Sequence, residues 1–191
     1  MICDLAKEPV RPPEVSSDKD LLVLVDALDR ELGYLEKDAC HDGEGALHRA
    51  FSVFVFNDRD ELLLQQRSME KRLWPGYWSN SCCSHPVAGE ALDRAVVRRV
   101  EQELGMHVQG NFLYKFIYQA QFEEAGSEHE MCHVFWARSA EPPHVNKREV
   151  AAWRWLSAAQ LSDALLRQPE SFTPWLRLEW PRILEDPACP I

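Results

Sequence analysis

Two apolar runs separated by a short turn place the strongest constraint on how this chain can fold. The runs cover residues 51–56 (FSVFVF) and 61–67 (ELLLQQR), and the turn-forming segment 57–60 (NDRD) lies between them. Runs of this length bounded by turn formers are typical of a β-hairpin. Because such apolar strands must be covered by other elements, the hairpin predicts a layered domain rather than a helical bundle.

The remaining pattern mixes strands with a few helices. Residues 89–104 place most of their apolar side chains on one helical face, and Gly105 is a typical helix terminator. Residues 69–86 are predicted to form a loop marked by Pro and Gly. Further strands are predicted at 20–26, 112–122, 130–137 and 152–156, and further helices at 157–167 and about 173–184. This mixture predicts an α/β sandwich.

The length of 191 residues suits one domain with one core. We predict a flexible N-terminal tail over residues 1–18, a folded domain over 19–185 and a C-terminal tail over 186–191. The oligomeric state is left open by the sequence, with a monomer favoured.

Charge and cysteine content narrow the function classes. The chain has 31 acidic and 21 basic residues and a net charge of −10, so nucleic acid is not expected as its main partner. No apolar run approaches the ~20 residues of a membrane-spanning helix, and none is predicted. Six cysteines without an apolar signal segment predict a reduced, cytoplasmic protein.

Residues 84–106 resemble the Nudix box, G-x5-E-x7-R-E-U-x-E-E-x-G-U, anchored on Gly105. The box of a Nudix hydrolase uses clustered carboxylates to hold divalent ions and to position a water molecule. Three positions depart from the box, and the loss of two carboxylates predicts a poor site for activating water. The matching residues are Glu90, Arg98, Val100, Glu103 and Met106, and the departures are Ser84, Arg99 and Gln102. The alternative for this segment alone is an ordinary amphipathic helix with charged surface residues.

Three further motifs extend the resemblance beyond the box. They cover residues 78–86 (WSNSCCSHP), residues 35–51 (LEKDACHDGEGALHRAF), and the pair 118–121 (YQAQ) and 127–131 (SEHEM). From about residue 21 to residue 175 the chain resembles the type I isopentenyl-diphosphate isomerase family. The resemblance implies a Nudix-like α/β/α sandwich with a mixed central sheet. It also implies interconversion of isopentenyl and dimethylallyl diphosphate through a tertiary carbocation, in isoprenoid biosynthesis.

Three histidines and two glutamates form a donor set suited to one divalent cation. Residues two apart on a strand face the same side, so Glu128 and Glu130 can ligate together, whereas His129 faces away. The resemblance implies a five-ligand site for Mn²⁺, Zn²⁺ or Mg²⁺, formed by His41, His48, His85, Glu128 and Glu130. Structural roles are expected for the remaining histidines, His107, His129, His133 and His144.

The resemblance also implies a catalytic pair. It assigns proton transfer to Cys83 on one side of the substrate and to Glu130, assisted by Tyr118, on the other, and leaves open which acts first. Cys82 corresponds to a non-catalytic neighbour. The diphosphate would be bound by Lys37, Arg67 and Lys71 and by one Mg²⁺ at Glu103, and Trp175 would line the pocket beside the carbocation.

Two other functions remain as alternatives. A Nudix pyrophosphohydrolase is disfavoured by Arg99 and Gln102, which replace box carboxylates. A non-enzymatic zinc protein is disfavoured because the candidate ligands spread from residue 41 to residue 130 rather than pairing as C-x2-C. The native metal, the organism and the downstream isoprenoid pathway are not predicted.

Overall fold

The structure, a computed structural model, describes residues 15–189. The chain order is strand β1, strand β2, helix α1, strands β3 to β6, helix α2, strands β7 to β9, and helices α3 and α4. The strands are β1 (Leu21–Val25), β2 (Glu31–Glu36), β3 (His48–Phe56), β4 (Leu62–Arg67), β5 (Trp78–Ser79), β6 (Cys82–Ser84), β7 (Asn111–Phe122), β8 (Gly126–Arg138) and β9 (Val150–Leu156). The helices are α1 (Lys37–Cys40), α2 (Leu92–Leu104), α3 (Ala158–Arg167) and α4 (Pro174–Glu185), with a 3-10 turn at Pro169–Ser171.

Strand β3 lies at the centre of a mixed sheet. It pairs in parallel with β8 over the whole register from His48–Glu130 to Phe56–Arg138. It also pairs antiparallel with β1, with β4 at the predicted hairpin and with β6, where Ser52 lies opposite Cys83. Strand β7 pairs antiparallel with β8, and β9 pairs antiparallel with β4. This arrangement brings the ends of β3, β6 and β8 together at one site.

The two faces of β3 pack against different helices, as alternation along a strand requires. Phe54 and Phe56 contribute to a core that includes apolar residues of α3 and α4. Phe51, Val53 and Val55 contribute to a second core that includes the buried face of α2. A sheet covered by helices on both faces is an α/β/α sandwich, so the predicted fold class is confirmed.

Helix α2 ends where the sequence predicts. Gly105 adopts the left-handed conformation at φ +64°, which glycine tolerates without the Cβ penalty, and its N–H donates to Glu101 O at 2.8 Å. A Cβ at Gly105 would lie 2.8 Å from the His144 carbonyl oxygen, so the close approach of this segment also favours glycine. The end of α2 thereby fixes the loop that leads towards Glu149.

Several local predictions were wrong in extent. Residues 31–40 form β2 and α1, which were not predicted, and the predicted loop 69–86 contains β5 and β6. Helix α2 begins at Leu92 rather than at residue 89, and β3 and β8 begin earlier than predicted, at His48 and Gly126. Strands β2, β5 and β6 are short or half exposed, so their sequences show little periodicity. Pairing with neighbouring strands holds them in place.

The predicted tails are described only in part. Residues 1–14 and 190–191 lie outside the described part of the chain. Within the described part of the N-terminal tail, Val15 O accepts a hydrogen bond from Arg99 at 2.6 Å, and Ser16 Oγ accepts one from Lys37 Nζ at 2.6 Å. In residues 15–189, no helix is long and apolar enough to cross a membrane.

Candidate metal centre and active site

The parallel register of β3 and β8 brings the predicted metal ligands together. His48 begins β3 opposite Glu130, and Glu128 lies two residues earlier on the same face of β8. His41 follows α1, and His85 follows β6. We call His41, His48, His85 and Glu128 the His/Glu cluster; one donor atom from each lies within 4.8 Å of every other.

The imidazole rings are oriented so that their Nε2 atoms face one another. His41 Nδ1 lies 2.6 Å from Lys37 O, and His48 Nδ1 lies 2.7 Å from Ala46 O. A carbonyl oxygen accepts only, so each Nδ1 carries a proton and each Nε2 is directed into the cluster. His41 Nε2 lies 2.9 Å from Glu128 Oε2. Two acceptors at this separation need a proton or a cation between them.

Buried polar atoms lacking partners support the same interpretation. Within the described residues, His48 Nε2 and Glu128 Oε2 have no hydrogen-bond donor or acceptor in suitable geometry. Such atoms are costly when buried and are found where a ligand satisfies them. Imidazole nitrogens with a carboxylate suit Zn²⁺ or Mn²⁺, so the donor set fits a divalent metal ion.

The electrostatics of the cluster favour a cation. Burial lowers the pKa of His48 to about 4 and lowers that of His85 well below its usual range. Burial alone would raise the pKa of Glu128, but the His41 charge and the other histidines hold it well below its usual range. Two neutral imidazoles and an ionised carboxylate are the protonation states that metal ligation requires.

Glu130 lies next to the cluster and also contacts Tyr118. His85 Nε2 is 3.0 Å from Glu130 Oε1, and the Tyr118 hydroxyl donates to Glu130 Oε2 at 2.7 Å. Burial, followed by the negative charge of Glu128, raises the pKa of Glu130 well above its usual range. Glu130 is thus placed both to ligate a metal ion and to hold a proton beside Tyr118.

Cys83 reaches the same cavity from β6, on the other side of β3 from β8. Its Sγ donates to Asn80 Oδ1 at 2.6 Å and lies 3.5 Å from Ser52 Oγ and 3.8 Å from Ser79 Oγ. Burial, with the nearby Glu179 carboxyl group, raises the pKa of the Cys83 thiol. Cys82 faces the opposite core and is fully buried.

The cavity beside these groups has a volume of about 280 Å³. Besides Cys83, Tyr118, Glu130 and two of the histidines, its wall includes the three predicted diphosphate-binding cations and Trp175. Lys37 donates a hydrogen bond to Ser16, and Lys71 forms an ion pair with Glu149. The structure therefore brings the predicted proton-transfer groups and the predicted cations to one cavity.

Two predicted substrate contacts are also engaged within the protein. Arg67 donates to the carbonyl oxygens of Leu73 and Trp74 at 2.8–3.2 Å and lies 5.2 Å from the centroid of the Trp175 ring. Trp175 is 2% exposed, and its Nε1 donates to Ser79 Oγ at 2.9 Å. Arg67 thus shapes the wall of the cavity as well as contributing charge.

Glu103 lies behind the cavity wall. Its Oε1 accepts from Arg99 at 2.5 Å and its Oε2 accepts from Gln65 at 3.3 Å. Arg99 lines the cavity and also lies 3.5 Å from Glu149 Oε2. A Mg²⁺ ion at Glu103 would have to displace Arg99 from the carboxylate, so this position fits a cation less well than the His/Glu cluster.

Several residues that line the cavity or contact its wall were not predicted as site residues. Arg99 and Glu149 form a buried ion-pair network with Lys71, and Asn80 joins Cys83 to Trp175 through hydrogen bonds to one amide oxygen. Asn80 lies inside the motif at 78–86, and Arg99 is a departure from the box. Both residues therefore lie in segments that the sequence analysis identified, but the residues they contact come from distant strands and helices.

The remaining histidines and cysteines lie apart from the cluster. His129 Nδ1 contacts Gly45 O at 3.1 Å, and His133 Nε2 contacts Asp29 Oδ2 at 3.0 Å. His107 is exposed. The five cysteines among residues 15–189 are free thiols: Cys40, Cys82, Cys83, Cys132 and Cys189. Cys3 lies outside the described residues.

The sandwich and the position of α2 define a protein of the Nudix class. The NUDIX domain model matches residues 46–176. A protein from Deinococcus radiodurans has the same fold, with a TM-score of 0.69 at 22% identity over 85% of this chain and 98% of its own. The MutT protein of Methanosarcina mazei Go1 superposes with a TM-score of 0.59 at 19% identity, over 71% of this chain and 91% of its own.

Closer relatives share most of the chain. The isopentenyl-diphosphate Delta-isomerase 1 of Photorhabdus laumondii is 42% identical over 167 residues, which cover 86% of this chain and 95% of the relative. The isopentenyl-diphosphate Delta-isomerase of Paenarthrobacter aurescens is 40% identical over 174 residues, which cover 90% and 95%. The chain therefore belongs to the isopentenyl-diphosphate Delta-isomerase family of Nudix-domain proteins.

Proposed function

We propose that this protein interconverts isopentenyl diphosphate and dimethylallyl diphosphate as a metal-dependent isomerase of isoprenoid biosynthesis. The observation that carries the proposal is one cavity lined by Cys83, by the hydrogen-bonded pair Tyr118 and Glu130, and by several cations. The names of the relatives indicate the same reaction. We further propose that the protein acts as a cytoplasmic monomer.

The reaction needs one proton delivered and one removed. Adding a proton to the terminal carbon of isopentenyl diphosphate gives a tertiary carbocation, and losing one from the carbon nearer the diphosphate gives dimethylallyl diphosphate. Burial raises the pKa of Glu130 well above its usual range, which suits it to hold a proton, and the Tyr118 hydroxyl that contacts it can pass that proton towards the substrate. Cys83 comes from the strand on the other side of β3, which suits it to exchange the second proton.

His41, His48, His85, Glu128 and Glu130 would hold one divalent ion, Mn²⁺, Zn²⁺ or Mg²⁺. When bound, the ion would supply positive charge that fixes the orientation and protonation of its carboxylate ligands. Among residues 15–189, His48 Nε2 and Glu128 Oε2 lack a hydrogen bond of suitable geometry, and these two atoms support the presence of the ion. Glu130 differs from Glu128 because Tyr118 competes for one of its oxygens.

Diphosphate recognition is assigned to the cations of the cavity wall. Lys37, Arg67 and Lys71 supply charge to phosphate oxygens, and Arg99 is a further cation on the same wall. Lys71 and Arg99 share Glu149, so binding of a diphosphate would exchange one anionic partner for another. One Mg²⁺ ion bound with the diphosphate near Glu103 is also proposed, and it would have to displace Arg99 from the Glu103 carboxylate.

Trp175 is proposed to stabilise the carbocation with its ring face and to exclude water. An aromatic face near a desolvated cation contributes about 2 kcal/mol or more. The ring is fixed by hydrogen bonds from its Nε1 to Ser79 and Asn80 and by edge contact with Trp74 at 5.3 Å. Such anchoring keeps the ring from turning away from the substrate.

The proposal is tested by incubating the purified protein with isopentenyl diphosphate and following dimethylallyl diphosphate and free phosphate together. Isomerisation without phosphate release is expected, and it should stop after dialysis against a chelator and return with Mn²⁺, Zn²⁺ or Mg²⁺. Sustained phosphate release at a rate near that of isomerisation would identify a hydrolase instead. Full activity after complete metal removal would overturn the metal-dependent part of the proposal.

A further inference from the structure

A buried carboxyl group lies behind Cys83 and takes no part in the function proposed above. Glu179 is on α4, has no exposed surface, and sits in the core that α3 and α4 form on the sheet. Its Oε1 lies within hydrogen-bond distance of Cys132 Sγ, at 3.5 Å, and its Oε2 is buried with no partner among residues 15–189. An ionised carboxylate in this position would be fully buried with one oxygen atom unsatisfied, which is costly.

Hydroxyl and thiol groups connect Glu179 to Cys83. Cys132 Sγ lies 3.5 Å from Ser52 Oγ, and Ser52 Oγ lies 3.5 Å from Cys83 Sγ. Ser52 and Cys83 face each other directly in the pairing of β3 with β6. Each hydroxyl or thiol has one proton, so the partner at one end of such a chain decides which way the hydrogen bonds run.

Burial favours the uncharged form of Glu179. The titratable neighbours are Cys132 and Glu130 on β8, Cys83 on β6, Tyr114 on β7 and Arg182 on α4. The Tyr114 hydroxyl donates to the backbone oxygen of Glu179 rather than to its carboxyl group. Burial raises the pKa of Glu179 to about 8, although hydrogen bonds from Ser52 and Cys132 and the charge of Arg182 oppose this.

We propose that Glu179 is a positioning residue for Cys83. As an uncharged carboxylic acid, it fixes Ser52 and Cys132 in the one hydrogen-bond arrangement that presents the Cys83 thiol to the cavity. This role rests on the proposed function of Cys83, since Glu179 itself does not line the cavity. It predicts that a neutral amide can replace the acid and that an apolar side chain cannot.

The test compares Glu179→Gln with Glu179→Leu, using Glu185→Leu on the exposed part of α4 as the matched control. For isomerisation we expect Glu179→Leu to lower kcat about tenfold with KM within about twofold. Glu179→Gln should keep at least about a third of the wild-type kcat. If ionisation of Glu179 disturbs Cys83, we expect the wild-type kcat to fall above about pH 8, where the carboxyl group loses its proton, and we expect Glu179→Gln to lack that fall. The control should match the wild type.

Two further readouts do not depend on turnover. The rate of alkylation of Cys83 by iodoacetamide, followed by mass spectrometry, should change at least threefold in Glu179→Leu and stay within twofold in Glu179→Gln. Between pH 6 and pH 9, the Tm of the wild type should fall by about 5 °C more than the Tm of Glu179→Gln. The reason is that charging a buried acid destabilises the folded state.

The outcomes separate the possible failures. Equal losses of kcat in the two Glu179 variants would show that the acid itself is required, which overturns the positioning role. Wild-type kcat and alkylation rate in Glu179→Leu would show that Glu179 is only a core residue. If the wild type does not isomerise its substrate, the proposed function fails, and the alkylation rates alone then support or overturn the link from Glu179 to Cys83.

Discussion

Metal binding should stabilise the folded chain by an amount that a melting experiment can measure. Without a metal ion, the His/Glu cluster holds three imidazoles and a carboxylate in a buried space, and two of their atoms have no partner within residues 15–189. A buried polar atom left without a partner costs about 1–3 kcal/mol. A divalent ion would satisfy both atoms and the His41–Glu128 contact at once.

The size of the effect follows from linkage. An ion present at 100 times its Kd stabilises the form that binds it by about 2.7 kcal/mol. In a chain of this length, 1 kcal/mol shifts Tm by about 2–4 °C. We therefore expect Mn²⁺ added to chelator-treated protein to raise Tm by about 5–11 °C, measured by circular dichroism with the metal concentration varied across its Kd.

His48→Ala is the informative variant, since His48 is fully buried and its Nε2 faces the cluster. Loss of a buried side chain lowers Tm by itself, so the quantity to compare is the shift between metal-loaded and chelated samples of each variant. That shift should fall to about a third or less in His48→Ala and be unchanged in His107→Ala, where the histidine is exposed. An unchanged shift in His48→Ala, or no shift in the wild type with Mn²⁺, Zn²⁺ or Mg²⁺, would refute the metal centre.

Three further predictions concern turnover. In steady-state assays, Cys83→Ser should lower kcat at least about 100-fold, while the kcat of Cys82→Ser should stay within about threefold of the wild-type value. Reversed effects would assign the catalytic role to Cys82. Glu130→Gln should lose more activity than Glu128→Gln when both variants are saturated with metal, because only Glu130 also contacts Tyr118. Equal losses would show that both residues act only as metal ligands. Trp175→Leu should lower kcat about 30-fold, equivalent to about 2 kcal/mol of transition-state stabilisation. An unchanged kcat would show that the ring does not stabilise the carbocation.

The fold could be predicted from the sequence wherever periodicity was strong. The hairpin of β3 and β4 and helix α2 carry continuous apolar patterns; the C-terminal limits of β3 and α2 were predicted correctly, and their N-terminal limits were three residues off. Strand β2 and the two-residue strand β5 were missed because their side chains are half exposed or too few to show a period. Their geometry comes from pairing with β1 and β4, which is a tertiary effect.

Some residues of the candidate site could likewise be predicted from the sequence, and others could not. Residues of distinctive type in a fixed motif, such as His85 and Cys83, could be selected from the sequence, and the structure places both at the cavity. Glu149 could not, since one acidic residue in a loop carries no signal until its contacts with Lys71 and Arg99 are known. Charge networks join residues from different elements, so their members become visible only after the chain has folded.

The departure from the Nudix box at Arg99 is part of a buried charge network rather than a simple loss of a metal ligand. Arg99 is 3% exposed, and one of its nitrogen atoms lies between Glu103 Oε1 at 2.5 Å and Glu149 Oε2 at 3.5 Å. The guanidinium group thus takes the place between two carboxylates that a cation would otherwise fill. Removing one partner of such a buried network costs about 3–5 kcal/mol, so a glutamate at this position would leave three buried acids facing one another. The cavity wall keeps a fixed cation beside Lys71, which suits diphosphate binding, while the carboxylates that could prepare a water molecule for attack are already engaged.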